Sequence, residues 1–381
     1  MRHASTLLTS RRVILPAMCA ALVLFVGTPR GVLGADAPAP APAATTPPPA
    51  PDLTAPDGVL AQLNDSRFAR SISADEYTQM LKVVEAASAA APSDGKWHTA
   101  RAAIEGRLGN KERAVELAQQ GAKAAPNDPR SHYWLGNALF ENIENVGMFS
   151  KMGVATDGEK AYLKAIELDP DFIEPRFAII QFYMNAPSIA GGSLKKARQQ
   201  AQAIIEVGKT RGAEQPHGAR AISSGHSMLA MIAGKDEDWD EAAKQHRLAS
   251  QAAMEPKDKF NALTGLGLML VRDRKDAHGA LKIADEARAL GVADDSTADF
   301  ITGLARQQLG EWEPAVAAYR EVIRKNPAAM NSRFGLAECL EKTGDKAGAA
   351  AMYEEFAAKF PNDKRAEDAA ARAKKLRKSL K

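Results

Sequence analysis

The sequence predicts an all-α chain, an α-solenoid of stacked helix-turn-helix repeats, and three observations carry that reading. One unit occurs twice in succession over residues 296–361, with Gly310, Ala315, Tyr319 and Pro327 answered by Gly344, Ala349, Tyr353 and Pro361, each pair 34 residues apart. No stretch reads as a β-strand. The folded part, residues 57–381, is long for one core but natural for an array in which each unit packs on its neighbours.

Each landmark has a physical reason. Gly310 and Gly344 close the first helix of their units, where a left-handed residue is required. Ala315 and Ala349 are small enough to let the second helix lie close against the first. Tyr319 and Tyr353, one turn further on, fill the space between units. Pro327 and Pro361 stop the second helix, because Asn326 and Phe360 before them resist the α conformation. With Gly303, Trp312 and Leu336 also in place, the pattern resembles the tetratricopeptide repeat (TPR). The resemblance implies a right-handed superhelix of helix-turn-helix repeats whose first helices line a concave face. It does not name a ligand, since such arrays bind many unrelated things.

In chain order, residues 1–34 read as a signal peptide. Arg2, Arg11 and Arg12 form a basic start, Val13 to Gly27 an apolar run, and Val32-Leu33-Gly34 small residues before a cut near Ala35. Ser10-Arg11-Arg12-Val13-Ile14-Leu15 partly resembles a twin-arginine export motif, with general secretion the plainer reading. Pro16-Ala17-Met18 before Cys19 is a poor lipobox, and the apolar run is short for a membrane span. The expectation is an exported, periplasmic protein with no stable membrane span. Residues 35–56 hold eight of the 21 prolines and read as a disordered or polyproline-like linker.

Taking four arginines (Arg2, Arg11, Arg12, Arg30) from a formal +3 leaves −1, so no nucleic-acid footprint is expected. Cys339 is then the one cysteine left, which excludes an intramolecular disulfide and suits a small buried hydrophobe.

Residues 57–363 read as the repeat array. Pro92 and Pro126 are another pair 34 apart, with Gly109 and Ala114 between them, so the helix of 74–91 is half of a leading repeat. His132-Tyr133-Trp134-Leu135-Gly136 opens the next unit and Ala161 to Pro170 ends it, with about ten extra residues near 142–157. The third unit begins at Phe172 and is stretched by the loop of 185–192 before a helix capped by Ser193. Trp239, Ala242 and Ala243 mark the fourth, and Gly265, Gly267 and Ala280 the fifth. Seven full repeats result. Residues 364–381 read as a basic capping helix with Ala369, Ala373, Leu376 and Leu380 on its buried face.

Three near-motifs fail on chemistry. Gly225-His226-Ser227-Met228-Leu229 lacks the last glycine of a nucleophile elbow and the strand before it. In the stretch from Gly153 to Lys160, Glu159 separates Gly158 from Lys160, and Ala161 stands where a phosphate loop needs Ser or Thr. Asp236, Asp238 and Asp240 alternate as in a calcium loop, but Glu241 holds the place of the required glycine. The histidines show no metal spacing. No catalytic residue, cofactor or metal is expected, and the chain is read as a non-enzyme.

By the TPR resemblance, places 2, 5, 9 and 12 of each unit point into the concave face. They give Tyr133, Asn137 and Phe140 in the second repeat and Phe177, Gln181 and Met184 in the third. Later repeats give Met231, Met269, Phe300, Leu304 and Phe334. The set is apolar and Met-rich, suited to adaptable recognition of a protein or peptide segment. The stretch of 130–205, with its Gly191-Gly192 loop, is also loosely similar to the TPR-type accessory component of TRAP-type transporters. That second likeness implies a small apolar ligand or lipid as the alternative partner.

Overall fold

The computed structural model describes residues 55–64 and 72–380. The expected signal peptide of 1–34 and nearly all of the expected linker of 35–56 lie outside the described residues. Within them the chain forms seventeen α-helices and no strand. Two compact units meet inside one helix, the first ending at Gln200 and the second beginning at Ala201.

The first unit contains α1 (Pro56–Asn64), α2 (Ala74–Ala90), α3 (Gly95–Arg107), α4 (Lys111–Ala124), α5 (Pro129–Glu141), α6 (Met148–Leu168), α7 (Glu174–Asn185) and the start of α8 (Leu194–Thr210). Helices α3 and α4 pair as a hairpin, as do α5 and α6, and α3, α5 and α7 pack in succession as first helices. The helix starts are chemically marked. Ser73 and Glu76 form a reciprocal capping box on α2, and Asp94 and Asp128 cap α3 and α5. One further repeat signal lies in the loops. His98 donates to Pro92 O at 3.4 Å, His132 to Pro126 O at 2.8 Å, and Arg176 Nη2 to Pro170 O at 3.2 Å, each six residues beyond its proline.

The extra residues of the second repeat are mostly not a loop between its helices. From Met148 on they are helical, and they lengthen α6 to 21 residues. The reason is local: residues 148–157 contain no proline, and their glycine sits away from any required turn. The stretched loop of the third repeat is a single 3-10 turn, Ser188–Ala190, closed by left-handed Gly191 (φ 98°). It lies against α6. Ser193 Oγ then accepts from Lys196 N, consistent with its reading as a cap.

The second unit runs through the rest of α8 to α9 (Pro216–Lys235), α10 (Trp239–Ala252), α11 (Pro256–Arg272), α12 (Ala277–Arg288), α13 (Ser296–Gln308), α14 (Trp312–Lys325), α15 (Met330–Thr343), α16 (Lys346–Lys359) and α17 (Ala366–Lys378). Four hairpins follow one another, and α17 packs on α16. Gly310 and Gly344 adopt φ of 75° and 85°, the left-handed turn that their spacing required. Tyr319 is fully buried, with Gly303 of its own repeat and Gly335 of the next against its ring; a Cβ at either glycine would meet that ring at 2.7 Å. The tyrosine is therefore a wedge that two glycines admit, and its hydroxyl donates to Gln307 Oε1 at 2.6 Å.

The catalytic near-motifs fall in ordinary structure. Gly225 to Leu229 lies within α9, and Gly153 to Lys160 within α6. Asp238 caps α10, accepting from Glu241 N. Cys339 is fully buried in α15, and burial pushes its thiol up to about 12. One detail of the capping helix differs from expectation. Ala369, Ala373 and Leu376 are buried, but Leu380 lies past the helix end and is exposed, because α17 stops at Lys378. Arg372 of this basic helix is tied to the repeat before it. It stacks 4.6 Å from the Tyr353 ring and pairs with Glu338 and Glu341.

Candidate binding surface

The side chains expected on the first-helix faces divide into two groups. Tyr133, Phe140, Met184, Met269 and Phe300 are buried. Tyr133 packs edge-on against Trp134 and Phe172, at 5.6 and 5.3 Å. Phe140 stacks on Tyr162 at 5.5 Å and meets Phe182 at 5.0 Å, while Gly158 leaves room beside its ring. Phe300 lies 6.2 Å from Tyr319, with the Arg272 guanidinium 5.4 Å from its ring. Asn137, Phe177, Gln181, Met231, Leu304 and Phe334 remain partly exposed. Asn137 accepts the Tyr162 hydroxyl at 2.7 Å, which fixes its amide. Phe334 is flanked by Arg365 at 5.0 Å and Arg372 at 6.0 Å.

The buried group follows from volume. Phe140 is seated against Gly158 of the second helix of its own hairpin, while Tyr133 and Phe300 are covered by neighbouring aromatic rings. The 3.6-residue period places side chains around the helix but does not say how deeply neighbours cover them.

Two cations were not singled out by the apolar reading, although both occupy place 2 of their repeats, 34 residues apart. Lys96 Nζ and Arg130 Nη1 each donate to Asp57 of α1 at 2.8 Å. Partial burial works to raise the Asp57 carboxyl, and the bonds and charges of Lys96 and Arg130 outweigh it, holding the group below its ordinary range. At the opposite end of α5, burial raises the Glu141 carboxyl against the opposing charges of Arg107 and Lys111.

Three helices of the first unit, α6, α7 and the start of α8, are also tied together beside the inserted segments. Glu159 of α6 accepts from the Tyr183 hydroxyl at 2.8 Å and from Lys196 Nζ at 3.0 Å, and Lys196 sits 5.1 Å from the Tyr183 ring. Burial, the bond to Glu159 and its charge all push the Tyr183 phenol up. At the start of α6, Met148, Phe149 and Met152 are exposed, Phe149 by 98%. In the second unit an open depression of about 340 Å³ is floored by Leu266, Leu270 and Ile283 and rimmed by Lys244, Arg247 and Lys282. Among the described residues no three His, Cys, Asp or Glu side chains form a group able to hold a metal. No described helix is long and apolar enough to cross a membrane.

The chain matches the family model for the tetratricopeptide repeat over residues 99–171 and 302–364. No curated protein matches it by sequence. Among solved structures it is similar to yeast Tom70, at 13% identity and a TM-score of 0.61, covering 95% of this chain and 70% of that one. It is also similar to a tetratricopeptide repeat protein of Parabacteroides merdae (11% identity, TM-score 0.46, 75% and 98% covered). A third is YrrB, described as a TPR protein with an unusual peptide-binding site (18% identity, TM-score 0.36, 58% and 99% covered). At these identities the Tom70 likeness is one of fold alone. Matched repeats, left-handed turn glycines and glycine-seated tyrosines together make the fold a TPR α-solenoid.

Proposed function

We propose that this protein is a non-catalytic periplasmic scaffold that binds a protein or peptide segment on the first-helix faces of its repeats. The observation that carries the reading is the partly exposed row of Asn137, Phe177 and Gln181 in one unit and Met231, Leu304 and Phe334 in the other. These side chains offer apolar contact and amide hydrogen bonding on rigid helices, the combination that recognises an extended or helical segment. The basic start and apolar run of residues 1–34 support export. The alternative of a small apolar ligand asks for an enclosed cavity near Phe140, Phe177 and Met184. Against it, the Phe140 ring is occupied by Tyr162 and Phe182.

The test is site-specific photo-crosslinking in cells, with a benzophenone amino acid at Phe177, Gln181 or Leu304 and a control on the outer helix at Lys164. One protein adduct shared by the three face positions and missing at Lys164 is the expected result. Equal labelling at Lys164, or none at the face, overturns the reading. Native mass spectrometry of the purified chain addresses the alternative, since a near-stoichiometric small molecule would favour it.

A further inference from the structure

Helix α1 is out of keeping with the hairpins. It is nine residues long, and Gly58 lies near its start. Its packing is onto the first helix α3. Val59 and Leu60 are 0% exposed and Leu63 is 1% exposed, whereas Ala61 between them faces solvent. Asp57, in its first turn, bridges Lys96 of α3 and Arg130 of α5. Those two cations hold place 2 of successive repeats, on the faces assigned above to a ligand. All of these residues belong to the first unit.

We propose that α1 is a displaceable ligand held in cis, and that the partner of this face is an amphipathic helix of the same chemistry. Such a partner has a carboxylate in its first turn and apolar residues two, three and six positions further on. The inference rests on the reading of the first-helix faces as the binding surface.

Three physical facts support displacement. A nine-residue helix containing glycine does not hold its form alone in water, so α1 is helical because it is docked. Its charged contacts are solvent-accessible: the Asp57, Lys96 and Arg130 side chains are 45%, 34% and 39% exposed. Such contacts orient a helix more than they hold it and are weakened by salt. Binding is therefore carried by the three apolar side chains, which another helix reproduces. Because α1 is tethered, it competes at an effective concentration in the millimolar range, and a partner in trans sees a face that is mostly occupied.

The test is fluorescence anisotropy of a labelled peptide of residues 55–64, titrated with three full chains: wild type, Asp57→Lys, and Leu60→Asp/Leu63→Asp. The peptide should bind the doubly substituted chain at least tenfold more tightly than wild type, with Asp57→Lys between them. In the α1-disarmed chain (Leu60→Asp/Leu63→Asp), adding Lys96→Glu and Arg130→Glu should lose tenfold for this peptide and regain it for the Asp57→Lys peptide. Equal affinity for all three chains, or no rescue by the reversed charge, overturns the proposal. Circular dichroism checks each chain; should the double variant unfold, the Asp57→Lys chain, altered only at a half-exposed charge, carries the same comparison. The two readings separate cleanly. A partner cross-linked equally to wild-type and α1-disarmed chains sinks the cis ligand and leaves the scaffold. Peptide binding with charge rescue, but no face-specific adduct in cells, leaves the cis ligand and sinks the scaffold.

Discussion

Tyr319 and His246 occupy equivalent places in different repeats of the second unit. Each stands nine residues after the residue that turns its hairpin, Gly310 for the tyrosine and Glu237 for the histidine. Each ring lies against a glycine of the next first helix, Gly335 or Gly265. Yet the Tyr319 hydroxyl has Gln307 as acceptor, while His246 Nδ1 is buried without a hydrogen-bond partner. The turns differ in the same way. Gly310 adopts its left-handed φ without a Cβ clash, whereas Glu237 at φ 59° and Lys275 at φ 56° adopt it against one. The geometry of the repeat is thus kept where its usual chemistry is absent. The α9–α10 hairpin keeps the ring-against-glycine contact of α13–α14 without the hydrogen bond that anchors Tyr319.

The largest effect expected from this comparison is at the wedge. Tyr319→Ala empties a fully buried aromatic site and should cost about 3–5 kcal/mol. His246→Ala removes a smaller ring with an unsatisfied nitrogen and should cost clearly less. Urea denaturation followed by circular dichroism checks both, and equal losses would break the parallel.

Protonation is the second lever. Burial pushes the His246 imidazole down to about 4 from its ordinary 6.5. Between those values the unfolded chain takes up a proton that the folded chain does not, so stability falls as pH falls through that window. The slope reaches about 1.4 kcal/mol per pH unit at most. His246→Phe should flatten the dependence of the urea midpoint between pH 6.5 and 4.5, and an unchanged slope would remove His246 as its cause.

The turns give a smaller effect of opposite sign. Glu237→Gly relieves a left-handed Cβ and should raise stability by about 1 kcal/mol, read as a higher urea midpoint. The same relief is unavailable at Gly310, where Gly310→Ala should lower it. Smallest of all is Phe149→Ser at the start of α6. A side chain 98% exposed should change stability by no more than about 0.5 kcal/mol, so any loss of partner binding there would report recognition alone.

Much of this arrangement was legible in the chain itself. The 34-residue spacing of Gly310 and Gly344, of Ala315 and Ala349, and of Tyr319 and Tyr353 determined the hairpin, its turn and its wedge. Those features are local, set by backbone sterics and side-chain volume within one unit and its neighbour, so a repeat signature encodes them. The helical nature of residues 148–157 was less legible, because a departure from the repeat length marks extra residues without stating their conformation. Burial was the least legible. Tyr133 and Phe140 carry the right period for an open face but are covered by Phe172, Tyr162 and Phe182, side chains contributed by other helices and by the α6–α7 connection. Lys96 and Arg130 share place 2 of their repeats but were not singled out by the apolar reading, and only the tertiary structure set Asp57 between them. Periodicity fixes the direction in which a side chain leaves its helix. What lies in that direction depends on segments distant in sequence, and no local pattern records their approach.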